Sequence, residues 1–278
     1  MKCDTGVTSH PRNVIVFGET GVGKSSLINL ILNQDVAPTS SGAQGCTFQS
    51  DMYSGFVQGL PFNFYDTVGL GEHGTGTVQS SQAIANLYQL VKRLAHSGGV
   101  HLLVFVIKCG RLTETMEKNY ALFFKAFCEE KLPIVVVVNA CENVDPMRSW
   151  WGENEGAFTA AGMRFDGQAC VCGERGRWNK RLQCWANGDL MEESRGLLRK
   201  LIVDHCAEVG WQKPVVSWFR SILQALLDFF SSVKIPRAYR ALSNRLRGSK
   251  SFTEHEVEKI IETVQSSDKQ TEQSDGKE

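Results

Sequence analysis

The octapeptide Gly18-Glu-Thr-Gly-Val-Gly-Lys24-Ser25 constrains this chain more than any other feature. It fits the pattern GxxxxGK[ST], follows the apolar run Val14–Phe17 and precedes a stretch carrying Leu27, Ile28, Leu30 and Ile31. Strand, glycine-rich turn and helix in that order make a cradle for phosphate. Glycines let the backbone curl so that successive N–H groups converge on phosphate oxygens, and the helix N-terminus behind them adds partial positive charge. Gly18, Glu19, Thr20, Gly21, Val22, Gly23 and Ser26 are the expected loop contacts. Lys24 is expected to reach the β and γ phosphates, and Ser25 supplies a hard oxygen ligand for Mg²⁺.

The surrounding pattern fits a large α/β domain. Short β-branched runs at Asn13–Phe17, Thr47–Phe56, Leu60–Asp66, His101–Lys108, Ile134–Asn139 and Gln168–Cys172 alternate with helical stretches near Lys24–Asn33, Val78–His96, Thr113–Glu130 and Met147–Ala161. Such alternation predicts a three-layer P-loop NTPase fold with a mixed, mostly parallel six-stranded sheet. Only a few residues around Gly59 separate the second strand from the third, so that pair must be a hairpin. After Cys172, a turn-rich stretch, Gly173–Gly188, leads to a helix from about Leu190 to Val209. The expected division is a flexible N-terminus at 1–12, a G domain at 13–209, a helical extension at 210–264 and a disordered polar tail at 265–278.

Composition narrows the setting. Thirty basic and thirty acidic side chains leave no net charge, so no global field recruits nucleic acid, and none is expected as a partner. Met1 to Arg12 is polar and lacks an apolar core of the secretory kind, and nine cysteines then read as reduced thiols of a cytoplasmic chain. Cys170, Cys172 and Cys184 lack the paired spacing of a structural zinc site. Lys213–Val233 is rich in large apolar residues, but Arg220 and Asp228 would each cost about 2.5–3.5 kcal/mol near a bilayer centre. Packing against the domain or a partner helix is one reading of it. Peripheral membrane contact is the other, helped by the basic run Lys234–Lys250.

Further candidates lie downstream of the phosphate loop. Asp66-Thr-Val-Gly69 closes the third strand, where the carboxylate can hold magnesium through water and the Gly69 N–H can meet the γ-phosphate. Thr47 and Thr39 both qualify as a γ-phosphate-sensing Mg²⁺ ligand, and the strand-start position favours Thr47. After the fifth strand, Asn139-Ala-Cys-Glu142 keeps an amide and a carboxylate at the offset of a guanine-reading Asn-Lys-x-Asp, with the lysine missing and the acid one methylene longer. Gly173 occupies the place of a backbone contact to guanine O6. Leu70 stands where many GTPases carry a water-orienting glutamine, which leaves Gln44, Glu72 and His73 as candidates for that task and predicts slow hydrolysis.

The stretches GETGVGKSS, DTVGLGE and HLLVFVIKCGRLTE resemble the septin-like branch of the translation-factor-related GTPases, and within it the immune-associated nucleotide-binding proteins. Asp145-Pro-Met-Arg-Ser-Trp150-Trp151, Gly162-Met-Arg-Phe and Ala169-Cys-Val are similar to related fungal G-domain proteins. The resemblance spans roughly Asn13 to Ile202. It implies a GTP/GDP-binding fold with Mg²⁺, homodimerisation through the nucleotide face, and Arg111 as an arginine finger supplied in trans. Two rival readings stand beside the slow GTPase switch: a nucleotide-loaded assembly scaffold with negligible turnover, and an ATPase or kinase on the same phosphate loop.

Overall fold

The computed structural model describes residues 10–38, 49–68, 81–215, 217–219 and 221–222. Strands β1 (Arg12–Phe17), β2 (Gln49–Val57), β3 (Leu60–Val68), β4 (Leu102–Lys108), β5 (Ile134–Asn139) and β6 (Gly167–Cys170) form one sheet in the order β2-β3-β1-β4-β5-β6. β2 and β3 pair antiparallel and every other pair is parallel, so the predicted mixed sheet and its hairpin are present. The helices are α1 (Lys24–Leu32), α2 (Ser81–His96), α3 (Glu114–Tyr120), α4 (Ser149–Ala160) and α5 (Gly188–His205).

Alternation along β1 divides the core. Val14 and Val16 pack with Leu27, Ile28, Leu198 and Ile202 on the face covered by α1 and α5. Ile15 and Phe17 face the opposite layer, with Leu87, Val91, Phe123 and Phe158. β5 is buried at all six positions, as expected of a parallel strand covered on both faces. Trp150 and Trp151 join this second layer, packed on Phe158. Because β1 lies between β3 and β4, the chain leaves its C-terminal end at the point where the strand order reverses. Ligands of open α/β sheets bind in the crevice there.

Three element ends differ from expectation, each for a tertiary reason. The helix expected over Thr113–Glu130 is α-helical only to Tyr120 and continues as a wider π-type turn through Ala121–Phe127. The wider winding turns Leu122, Phe123, Phe124 and Phe127 inward together, more than an α-helical stripe accommodates. α5 stops at His205, before the expected Val209, because the Ala207 N–H bonds the His101 carbonyl at 3.0 Å and Trp211 then pairs with Val100. β6 ends at Cys170, and the Cys172 N–H is taken by Ser194 Oγ at 2.9 Å. Within Gly173–Gly188, Trp178–Asn179 and Cys184–Trp185 form a small hairpin, β7–β8, which the sequence did not predict.

Beyond Trp211, Trp218 and Phe219 are buried against this domain. Trp218 Nε1 donates to the Phe127 carbonyl at 2.7 Å, and Phe219 meets Tyr88 edge-on at 5.2 Å. No helix among the described residues is long and apolar enough to cross a membrane. The remainder of the expected extension, including Lys234–Lys250, lies outside the described residues, as do 1–9 and 265–278.

His101 ties the starts of β1 and β4 together. Its N–H donates to the Asn13 carbonyl at 2.8 Å, and the Asn13 N–H donates to His101 Nδ1 at 3.1 Å, which requires a neutral ring. Burial, reinforced by the Arg12 charge, pushes the His101 pKa below its ordinary value of 6.5. A depressed folded-state pKa contributes stability that is present above the unfolded value and is lost as pH falls through the folded one. The thermal midpoint is therefore expected to decline below about pH 6.5, and His101→Gln should flatten that decline. Equal pH dependence of both proteins in scanning calorimetry would remove His101 as the cause.

Candidate functional site

The phosphate loop has the backbone its glycines permit. Gly18 and Gly23 sit at φ 146° and 96°. A Cβ on Gly18 would meet the Val106 carbonyl oxygen at 2.1 Å, so β4 itself demands glycine there. Lys24, only 5% exposed, donates to the Gly18 and Glu19 carbonyls at 2.8 Å each. It lies back along the loop, over the space its N–H groups enclose. Thr20, Gly21, Val22 and Ser26 complete the turn and the first residues of α1.

Register brings Asp66 to this loop, since Val16 pairs with Asp66 across β1 and β3. Ser25 Oγ donates to Asp66 Oδ2 at 2.5 Å, while Asp66 Oδ1 is buried without a partner. Burial raises the Asp66 pKa, and the Ser25 hydrogen bond and the Lys24 charge work against that rise. A hydroxyl and a buried carboxylate with an idle oxygen form a donor set suited to a hard divalent cation. Ser25→Asn should weaken binding of a Mg²⁺-triphosphate more than that of a diphosphate. Calorimetry with GDP and a non-hydrolysable GTP analogue checks this, and an equal loss for both would remove Ser25 from the metal site.

The loop after β5 closes the other end. Asn139 is buried, and its Nδ2 donates to the Val22 carbonyl at 2.8 Å, fastening the β5 exit to the phosphate loop. Gly23 and Gly173 both abut this amide: a Cβ on either would lie 2.3 Å from its Nδ2 or 2.7 Å from its Oδ1. Asn139 Oδ1 and Glu142 Oε2 are buried and without partners. A cavity of about 800 Å³ runs from Ser26 past Asn33 to Gly173, with Arg175 and Trp185 on its far wall. Of the described candidate residues only Ser26 and Gly173 line it, so it adjoins the phosphate loop and the base loop rather than containing them. Nothing in the polar stretch Gly173–Gly188 points to Arg175 or Trp185, because only the β7–β8 hairpin turns them toward α1.

Arg111 is exposed on the loop between β4 and α3. Thr113, which caps α3 by accepting from the Met116 N–H, donates to Glu19 Oε1 at 2.8 Å and so holds this loop against the phosphate loop. The capping role is visible in sequence, a threonine ahead of Glu114 and Glu117, but the link to Glu19 is not. The structure thus gathers Lys24, Ser25, Asp66, Asn139, Glu142, Gly173 and the Arg111 loop at one sheet edge. Thr39, Gln44, Thr47, Gly69, Leu70, Glu72 and His73 lie outside the described residues.

Residues 13–140 match the family model described as 50S ribosome-binding GTPase. Over that segment the chain is similar to GTPase G domains. GTP-binding protein A of Dictyostelium discoideum is 32% identical to the chain over 122 residues, 44% of this chain and 25% of that protein. Immune-associated nucleotide-binding protein 3 of Arabidopsis thaliana is 28% identical over 129 residues, 46% of this chain and 37% of that protein. The matched segment therefore spans about a quarter to a little over a third of these relatives. Among solved structures, Toc33 from Arabidopsis thaliana in complex with GDP and Mg²⁺ aligns with a TM-score of 0.46 at 16% identity, over 72% of this chain and 88% of that one. The matched segment ends at Ala140, and the described structure continues with α4, β6, β7–β8 and α5.

Proposed function

We propose that this protein binds GTP and GDP with Mg²⁺, hydrolyses GTP slowly, and uses the nucleotide as a switch for self-association through its nucleotide face. The observation that carries the reading is the set of buried acceptors left without partners. Among the described residues, four buried side-chain polar atoms lack a hydrogen bond, and three of them are Asp66 Oδ1, Asn139 Oδ1 and Glu142 Oε2. An idle buried acceptor costs about 1–3 kcal/mol, so three at one edge imply a ligand that supplies donors and positive charge. Guanine presents N–H donors at N1 and N2 that a carboxylate at Glu142 can accept. Adenine presents no such pair, which sets the ATPase or kinase reading behind.

Each group then has a task. The loop N–H groups and Lys24 hold the phosphates, and Ser25 and Asp66, with Thr47 from the sequence, are the ligands we assign to Mg²⁺. When bound, the ion neutralises charge between the β and γ phosphates. Asn139 keeps the base loop fastened to the phosphate loop, and Gly173 offers its backbone beside it. Arg111 is the finger offered to a second copy, as the resemblance to the immune-associated nucleotide-binding proteins implies. Leu70 favours a second reading, a loaded scaffold that hardly turns over, because its side chain cannot orient water. Trp218, Phe219 and Ile222 are buried, so peripheral membrane contact would fall to residues 223–233 with the basic run Lys234–Lys250, which flotation with anionic liposomes tests.

Calorimetry with GDP, a non-hydrolysable GTP analogue and ATP, each with Mg²⁺, tests the central reading. Tight binding of both guanine nucleotides and weak binding of ATP is expected. Equal affinity for ATP would overturn the assignment of Glu142.

A further inference from the structure

Three thiols meet at the ends of three neighbouring strands, next to the base loop. Cys109 follows β4, Cys141 follows β5, and Cys170 closes β6. Backbone bonds fasten these exits to one another: Cys109 N–H to the Asn139 carbonyl at 2.7 Å, and Cys141 N–H to the Val171 carbonyl at 3.1 Å. The Cys141 side chain folds back along its own strand, its Sγ lying 3.4 Å from the Val138 carbonyl. Val138 is the register partner of Cys170, so this fold-back carries the Cys141 sulfur toward the Cys170 side chain. Cys141 and Cys170 belong to one buried cluster, and Cys109 packs against it.

Cys170 is a buried thiol with the first turn of α4 and a cavity beside it. It lies in the same buried cluster as Trp151, in the first turn of α4. First-turn N–H groups have no partner within their own helix and favour a negative charge in front of them. The neighbouring Cys141 side chain favours the Cys170 thiolate, burial opposes it and the Trp151 N–H favours it, while Cys141 is pushed the other way. Cys170 also borders a cavity of about 430 Å³ that is lined by Arg148, Lys200 and His205. Glu193 and Asp204 line the same cavity, Asp204 paired with Lys200 at 2.7 Å, and a small neutral oxidant can approach through it.

We propose that Cys170 and Cys141 are a peroxide-sensitive thiol pair whose disulfide disables the base end of the nucleotide site. The Cys170 thiolate attacks one peroxide oxygen, an S–O bond forms, the O–O bond breaks, and the departing hydroxide takes a proton to become water. The Cys141 sulfur then attacks the Cys170 sulfenic acid. An S–S bond forms, the S–O bond breaks, and the Cys141 proton leaves with the hydroxyl as a second water. Two thiols are oxidised and one hydrogen peroxide is reduced. A disulfide requires sulfurs about 2.0 Å apart, well inside hydrogen-bonding distance, so Cys141 must move toward β6. Cys141 stands between Asn139 and Glu142, with Ala140 held at φ 64° beside it, so the movement turns the Glu142 carboxylate out of place. The loss of binding rests on the guanine reading above, and the formation of the bond does not.

Peroxide treatment of the full chain followed by peptide mapping tests the chemistry. A Cys141–Cys170 linked peptide, lost with dithiothreitol, is expected in the wild-type protein and in Cys109→Ser. A Cys109–Cys141 link in its place, or free thiols at both positions, would overturn the pairing. Titration with GDP before and after oxidation tests the consequence. An affinity weaker by about tenfold or more, the worth of one charged hydrogen bond, is expected for the wild type and is restored by the reductant. Cys170→Ala should bind equally before and after peroxide, and Cys141→Ala is the second variant should Cys170→Ala fail to fold. A mapped disulfide with unchanged GDP affinity would overturn the regulatory half. A protein that forms the disulfide but binds no guanine nucleotide in either state would overturn the guanine reading and leave the thiol pair standing.

Discussion

A Lys24→Ala protein is expected to bind GTP about 10²–10³-fold more weakly while keeping its thermal midpoint within a few degrees of the wild type. The lysine is 5% exposed and curled over the phosphate loop, with its ammonium on the Gly18 and Glu19 carbonyls. A triphosphate placed in the loop takes over those bonds as charge-assisted contacts. Each contact of that kind is worth about 1.5–3 kcal/mol, and two of them reach the stated loss. The fold is expected to survive because the packing of α1 on the sheet rests on Leu27, Ile28 and Ile31. Calorimetry and a thermal melt measure the two halves separately. Wild-type affinity in this variant would remove the phosphate-loop assignment, and unfolding would show that Lys24 belongs to the core.

The second large effect concerns Arg111. If Leu70 leaves the attacking water unpositioned and Gln44, Glu72 and His73 do not take over that task, positive charge must come from elsewhere to stabilise the transferring phosphoryl group. An arginine finger is worth roughly 10³–10⁵ in rate. Arg111 is exposed, and the Thr113–Glu19 hydrogen bond holds its loop beside the phosphate loop. A second copy docked by two-fold symmetry can present this arginine to its neighbour's nucleotide. GTP is then expected to promote dimers, and hydrolysis per site should rise with protein concentration. Arg111→Ala should lower turnover by at least about a hundredfold with nucleotide affinity nearly unchanged. Adding the Lys24→Ala protein, which supplies Arg111 but binds nucleotide poorly, should restore part of the rate. Unchanged turnover in the Arg111 variant, with no rescue and no dependence on concentration, would leave Arg111 as a surface residue and favour the scaffold reading.

Local pattern was sufficient for the elements and for the phosphate loop. The strand runs, the β2–β3 hairpin forced by a short connection, and the glycine-rich turn between strand and helix are properties of neighbouring residues. Backbone conformation and hydrophobic period are set at that range. The parallel order of the sheet followed from the same alternation, because crossover connections leave few topologies. Tertiary structure alone decided what those elements do to one another. Asn139 bonds a carbonyl 117 positions away, and its buried amide is the reason Gly23 and Gly173 face it. Thr113 reaches Glu19 across 94 positions, and a cap motif carries no information about that partner. The π-type turn at Ala121–Phe127 and the early end of α5 answer to aromatic packing and to the His101 carbonyl, neither of which lies nearby in the chain. The same holds for the cysteines. Their spacing in sequence argues only against zinc, whereas register sets Val138 beside Cys170 and the fold-back of Cys141 onto Val138 brings it into the same cluster as Cys170 and Trp151. Propensity acts over a few residues, and register and burial are settled only when distant strands pair.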